Sequence, residues 1–146
     1  MHPPRGFILS FLTLSLVMVG ASVSAMNLGL TAIQRGLDAT ASQSVWINAS
    51  YALMLAAILL PAGALGDRFG RRGALLVGLG IMLTGAVLGA TSDSAAQIIA
   101  WRCLMGVGAG LVMPATLSIL TTVFPADERS RAIAIWAGFA GAGGAI

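Results

Sequence analysis

The sequence predicts an all-α, polytopic membrane helix bundle with about four complete transmembrane helices and the start of a fifth. Three observations carry that expectation. The 146 residues are 58% hydrophobic and only 9% charged, against about 25% charge in a soluble domain, and so short a chain cannot hide that much apolar surface from water. The charges are gathered in short groups, which leaves uncharged intervals at 6–34, 39–66, 73–92 and 103–126 and a fifth from 132 onward. The first four reach the roughly 20 residues that cross a hydrocarbon core. Finally, the intervals are continuously apolar rather than alternating, which argues against the strands of a membrane barrel.

The elements follow from those intervals. Helix 1 is expected at 7–29. Its start, with Arg5 and a Val23-Ser24-Ala25 stretch, has some features of a signal peptide, but the apolar run is longer than such a segment needs. Helix 2 is expected at 46–65 and helix 3 at 74–91. The turn-like Thr91-Ser92-Asp93-Ser94 then offers caps for helix 4, expected at 96–121. Pro114 falls inside that helix and should kink it. Phe124-Pro125-Ala126-Asp127 ends it, and helix 5 is expected at 131–146.

Several kinds of chemistry are absent from the pattern. Cys103 is the single cysteine and His2 the single histidine, so there is no intrachain disulfide and no metal-ligand spacing. No catalytic triad, carboxylate pair or phosphate loop is visible, and the reading is not that of an enzyme or of a cofactor protein. The net charge of +3 does not point to nucleic acid, because orientation in a membrane explains it. With the N-terminus in the cytoplasm, Arg5, Arg68, Arg71, Arg72, Arg129 and Arg131 all fall on the cytoplasmic side. Arg35 alone falls outside, and Arg102 lies within the membrane. That is a strong positive-inside bias, and it sets Trp46 and Trp101 near the outer interface, where aromatic belts form.

A third of the charge sits between helices 2 and 3, in Asp67, Arg68, Arg71 and Arg72. A topology anchor needs only arginines. The acid and the glycines at Gly63 and Gly70 ask for more: a tight turn at Gly70, an aspartate able to cap a helix, and arginines able to hold carbonyl ends or lipid phosphates. The run Gly63-Ala64-Leu65-Gly66-Asp67-Arg68-Phe69-Gly70-Arg71-Arg72 resembles the loop signature of the major facilitator superfamily, G-x-L-x-D-R-x-G-R-[KR]. In helix 4, Arg102-Cys103-Leu104-Met105-Gly106-Val107-Gly108-Ala109-Gly110 is similar to the family's R-x-x-x-G-x-G-A. The continuation through Met113-Pro114-Ala115-Thr116, the pair Trp46 and Tyr51, and Phe124-Pro125 followed by Asp127-Glu128-Arg129 resemble the branch of drug:proton antiporters with fourteen helices.

The resemblance implies a multidrug or small-molecule efflux transporter that works by alternating access, in the cytoplasmic membrane of a bacterium. Its partners would be a lipophilic or cationic substrate, protons and membrane lipid. The segment Gly63, Asp67, Arg68, Gly70, Arg71 and Arg72 would be a gating loop that latches the cytoplasmic side. Arg102 would take part in coupling, with Asn27, Trp46 and Tyr51 at the cavity, where the two aromatics could stack on a cation. Asn27 could equally bond a neighbouring helix and Trp46 anchor the interface. Gly85 with Gly89 and Gly106 with Gly110 form small-residue faces suited to close helix packing.

Two departures stand out. Proton-coupled members of the branch carry an aspartate in helix 1 where this chain aligns Ser22, and every acid here is expected in a loop, so the proton carrier is expected elsewhere in the full transporter. Members also have twelve or fourteen helices, so this chain reads as an N-terminal portion whose C-terminal part is missing, with 138–146 opening the glycine-rich antiporter motif. Two alternatives stand beside it: a truncated, non-functional remnant, and a small dimeric four-helix exporter, a class that uses an intramembrane glutamate this chain lacks.

Overall fold

A computed structural model describes residues 5–142, which form five α-helices: α1 (Arg5–Gly36), α2 (Ala41–Phe69), α3 (Arg71–Ala90), α4 (Ala95–Val123) and α5 (Ala126–Ala142). No strand occurs among the described residues. The connections are one to four residues long, so consecutive helices run antiparallel. The arginines of the α2–α3 junction and of the start of α5 share one end of the bundle.

α4 is the hub. It packs along both α2 and α3 and also meets α1 and α5, while α1 rests mainly on α5. Half of α4's most apolar stretch is buried, against less than a third for α1, α2 and α3. The core joins Leu12 and Val19 of α1, Tyr51 of α2, Leu75 and Met82 of α3, and Ala109 and Val112 of α4. Phe7, Leu14, Leu60, Leu76 and Leu83 lie exposed on the outside. A coat of large apolar side chains around a packed interior is the arrangement expected where the solvent is lipid, and α1 to α4 are each long and apolar enough to span a bilayer.

Helix ends depart from the hydropathy-based expectation because caps, rather than loss of apolar residues, decide them. α1 runs well past residue 29. The Ala39 N–H reaches back to the Gln34 carbonyl at 3.2 Å and Asp38 adopts a left-handed φ of 47°, which is a Schellman-type ending. α2 begins at Ala41 rather than 46, because Thr40 and Gln43 form a capping box: the Gln43 N–H donates to Thr40 Oγ1 (3.2 Å) and the Thr40 N–H to Gln43 Oε1 (2.9 Å). Ser94 caps α4 by accepting from the Gln97 N–H. α5 starts at Ala126, with Pro125 before it and Asp127 and Glu128 in its first turn, where the helix dipole favours acids. Pro114 lies inside α4 as expected, and Pro61 lies inside α2. Residues 143–146 of the expected fifth helix fall outside the described residues.

The largest revision concerns the α2–α3 segment. α2 continues through Gly63 and Asp67 to Phe69, and only Gly70 separates it from α3. Asp67 therefore stands on the last turns of a helix. It caps no N-terminus, since α3 begins without a side-chain cap. Asp127 and Glu128 likewise sit on a helix rather than in a loop. Gly70 has φ 89° and ψ 133°, a region nearly closed to L side chains. Gly70→Ala should therefore destabilise the bundle by about 1–3 kcal/mol, read as a lower midpoint of thermal unfolding in detergent. An unchanged midpoint would contradict the strained junction.

Candidate functional site

The short α2–α3 junction aims Arg71 across the end of the bundle. Its Nη1 donates to the Ser118 carbonyl (3.2 Å) and to Thr122 Oγ1 (2.9 Å) on α4, and its Nη2 donates to Asp67 Oδ1 (3.4 Å). One guanidinium thus clasps the ends of α2, α3 and α4. The Asp67–Arg71 pair is well exposed, so as a surface ion pair it adds roughly 0–1 kcal/mol to folding. Arg68 and Arg72 are exposed at the same end.

Beside the clasp lies a cleft of about 350 Å³ between α2 and α4, bordered by Gly63, Gly66, Asp67, Arg71, Pro114 and Ser118. A Cβ added at Gly63 or Gly66 would meet no atom within 4 Å, so these glycines leave the cleft wall bare. Ser118 and Thr122 escape a reading based on charge. Their signal is a pair of hydroxyl residues four apart, on one face, within the hydroxyl-rich last turns of α4.

A second polar node lies toward the other end. Arg102 is buried, at 2% exposure. Its Nε donates to the Ile47 carbonyl of α2 (3.2 Å) and its Nη1 to the Ser22 carbonyl of α1 (3.1 Å). Its guanidinium lies 4.4 Å from the centre of the Tyr51 ring, a cation–π contact. The Tyr51 hydroxyl donates to the Val19 carbonyl at 3.1 Å, and Ser22 Oγ donates to the same carbonyl at 2.7 Å. The node ties α1, α2 and α4 together through uncharged partners.

Tyr51 is accordingly not an open platform for a cationic ligand, because it is itself buried and its ring already faces Arg102. Trp46 stands away from the node and is half exposed on the outer surface. Asn27 accepts a hydrogen bond from Asn48 Nδ2 at 3.0 Å, linking α1 to α2. Tyr51→Phe should lower stability by about 0.5–1.5 kcal/mol, the usual net value of one hydrogen bond. Tyr51→Ala should cost about 3–5 kcal/mol through the cavity it opens. Chemical unfolding in detergent checks the order, and equal losses would contradict the ring's part in the node.

The glycines set how closely the hub is approached. A Cβ on Gly106 would stand 2.5 Å from the Tyr51 carbonyl oxygen, and one on Gly110 2.8 Å from Ile58 Cβ, so this face seats α2. On the opposite side, Gly78 and Gly85 of α3 press against α4: a Cβ on Gly78 would come 2.8 Å from the Gly108 carbonyl oxygen, and one on Gly85 2.6 Å from Met105 Cγ. Gly89 differs, with its nearest atom 3.9 Å away. The close approach on α3 thus runs through Gly78 and Gly85 rather than Gly85 and Gly89. Gly78, seven residues before Gly85, is a heptad signal that a G-x-x-x-G search misses.

Residues 10–146 match the family model of the Major Facilitator Superfamily. The chain is 40% identical over 136 residues to the tetracenomycin C resistance and export protein of Streptomyces glaucescens, covering 89% of this chain and 25% of that protein. It is 36% identical over 146 residues to the multidrug efflux pump LfrA of Mycolicibacterium smegmatis, covering 99% of this chain and 29% of that one. It is 34% identical over 134 residues to a methylenomycin A resistance protein of Streptomyces coelicolor, covering 91% of this chain and 28% of that one. The chain spans between a quarter and a third of the length of these relatives.

Proposed function

This chain belongs to the Major Facilitator Superfamily, and from that premise we propose that it is the N-terminal part of a bacterial exporter of lipophilic small molecules. Such an exporter works by alternating access, in which two helix bundles rock around a site near the membrane midplane. The observation that carries the reading is the Arg71 clasp. It joins α2, α3 and α4 at one end through exposed contacts beside an unfilled cleft. A clasp made of exposed groups can hold in one state and be exchanged for contacts with a second bundle in another, which a conformational switch requires. The relatives' names supply the direction, since they speak of resistance, export and efflux.

The chain is a multi-pass integral membrane protein, with four helices of spanning length and composition. We place its N-terminus in the cytoplasm of a bacterial inner membrane, because that side then holds six of the eight arginines. The acids among the described residues lie in connections or at helix ends. If transport is driven by protons, the carrier belongs to the remaining part of the transporter. Deleting the gene that carries this chain should raise the accumulation of lipophilic dyes in its host, and the complete gene on a plasmid should restore it. Unchanged accumulation of such dyes in the deletion strain would contradict the proposal.

A further inference from the structure

The close seats along α4 set its register against its neighbours. A Cβ on Gly106 would meet Tyr51, Met54 and Leu55 of α2, and one on Gly110 would meet Leu55 and Ile58. The two helices run in the same direction, so each turn of α4 is matched by a turn of α2. The next turn sets Pro114 of α4 level with Pro61 of α2, and both lie inside their helices. Ala62 and Gly63 border the same cleft as Pro114 and Ala115, which agrees with that level. On α3, Gly78 sits against Gly108, Leu111 and Val112, and Gly85 against Trp101 and Met105. These glycine seats all lie on the Arg102 side of Pro114. On the clasp side, side-chain hydrogen bonds reach α4 instead. Arg71 Nη1 donates to the Ser118 carbonyl and the Thr122 hydroxyl, and Trp136 Nε1 of α5 donates to Thr116 Oγ1 at 3.2 Å.

A proline has no N–H to give to the carbonyl four residues before it, and its ring crowds that turn. The Ala57 and Gly110 carbonyls therefore gain no helix bond from Pro61 and Pro114. Helices bend most readily at such points. Thr116 softens the same turn of α4: it is buried, and its hydroxyl donates to the Met113 carbonyl at 2.8 Å. A back-bond of that kind competes with the helix ladder and favours bending. A single soft point would be held straight by the helix packed beside it. Two soft points at one level on parallel, packed helices let both bend together without opening the seam between them. The arms beyond the prolines, 62–69 and 115–123, carry Asp67, Ser118 and Thr122, which are the α2 and α4 members of the clasp.

We propose that Pro61 and Pro114 act as one hinge across α2 and α4, about which the two arms of the clasp move together while the glycine seam stays closed. The hinge deepens the alternating-access reading, on which its part in transport rests. The test uses the complete transporter that carries this chain, in lipid nanodiscs, and reads local opening by amide hydrogen exchange with mass spectrometry. Pro61→Ala restores an N–H to α2. It should slow exchange by at least about twofold, the low end for one regained hydrogen bond, in 62–69 and also across the seam in 115–123. Pro114→Ala should do the same in the other direction. Pro61→Gly and Pro114→Gly keep a soft point and should leave the opposite helix near the parent rate. Exchange at 50–57 and 104–110 should match the parent in all four variants, which reports that each is folded. Slowing confined to the substituted helix would overturn the proposal, as would equal slowing by the alanine and glycine variants. Energy-dependent uptake of a lipophilic dye by the same proteins in vesicles separates the two readings. The double alanine variant should lose about as much uptake as the worse single one, and losses that multiply would overturn the shared hinge. Absence of uptake by the parent would contradict the exporter, and the exchange across the seam would still decide the hinge.

Discussion

Gly106→Val is expected to separate α2 from α4 and to remove most of the folded protein from the membrane. A Cβ at that position would stand 2.5 Å from the Tyr51 carbonyl oxygen, 2.9 Å from Met54 Cβ and 3.2 Å from the Leu55 nitrogen. Two of these neighbours are backbone, so no side-chain rotation relieves the clash. The helices must move apart along the most extensive seam of the bundle. Overpacking typically costs about 1–3 kcal/mol, and in lipid the lost van der Waals fit is a main source of helix association. The shift would also disturb Tyr51 and hence the support of Arg102. The comparison is Gly80→Ala, where an added Cβ meets nothing within 4 Å and the higher helix propensity of alanine should leave stability level or slightly raised. Thermal unfolding of the two purified variants checks the contrast, and similar midpoints would contradict the role given to the α2–α4 seam.

Asp67→Asn carries the second large effect, on transport rather than on folding. The Asp67–Arg71 pair is exposed, and Arg71 keeps its bonds to Ser118 and Thr122 in the variant, so the bundle should insert and melt much as before. What changes is the charge beside the α2–α4 cleft. An asparagine keeps the shape but gives Arg71 no counter-charge, so on the alternating-access mechanism we propose the clasp relaxes toward α4 and the balance between the two access states shifts. Coupling free energies of about 1–3 kcal/mol correspond to changes of roughly 5- to 150-fold. Export is therefore expected to fall by at least about fivefold at unchanged protein level. Asp67→Glu, which retains the charge at a longer reach, should recover part of it.

Much of the fold was legible because a lipid-facing chain writes its spans in hydropathy. The uncharged intervals located all four long helices, and the caps at Ser94 and the break at Pro125 were visible in the residue types. Hydropathy missed the lengths of α1 and α2, because Thr40, Gln43 and the Asp38 turn set those ends by hydrogen bonding rather than by apolarity. It also ended helix 2 at residue 65 and read a loop through Asp67 to residue 73, where helix geometry continues to Phe69 and resumes at Arg71, with only Gly70 between.

The candidate site was legible in its charged members and obscure in their partners. Arg71 and Asp67 could be named as a unit from their order. Ser118 and Thr122 could not, because their pairing depends on how α4 lies against the α2–α3 junction. Arg102 was conspicuous as a charge inside a span. Its use of Tyr51 as a face to rest on, and of helix carbonyls in place of an acid, required the arrangement of three helices that no local pattern encodes.

We propose that this bundle serves an exporter whose cytoplasmic side is latched at Asp67 and Arg71. Its most direct test is uptake of a lipophilic fluorescent substrate by energised inside-out vesicles that contain the complete transporter carrying this chain, measured for the parent and for Asp67→Asn at matched protein amounts. Energy-dependent uptake is expected from the parent, with a loss of at least about fivefold in the variant. Equal uptake by both would contradict the latch, and no energy-dependent uptake by the parent would contradict the exporter itself.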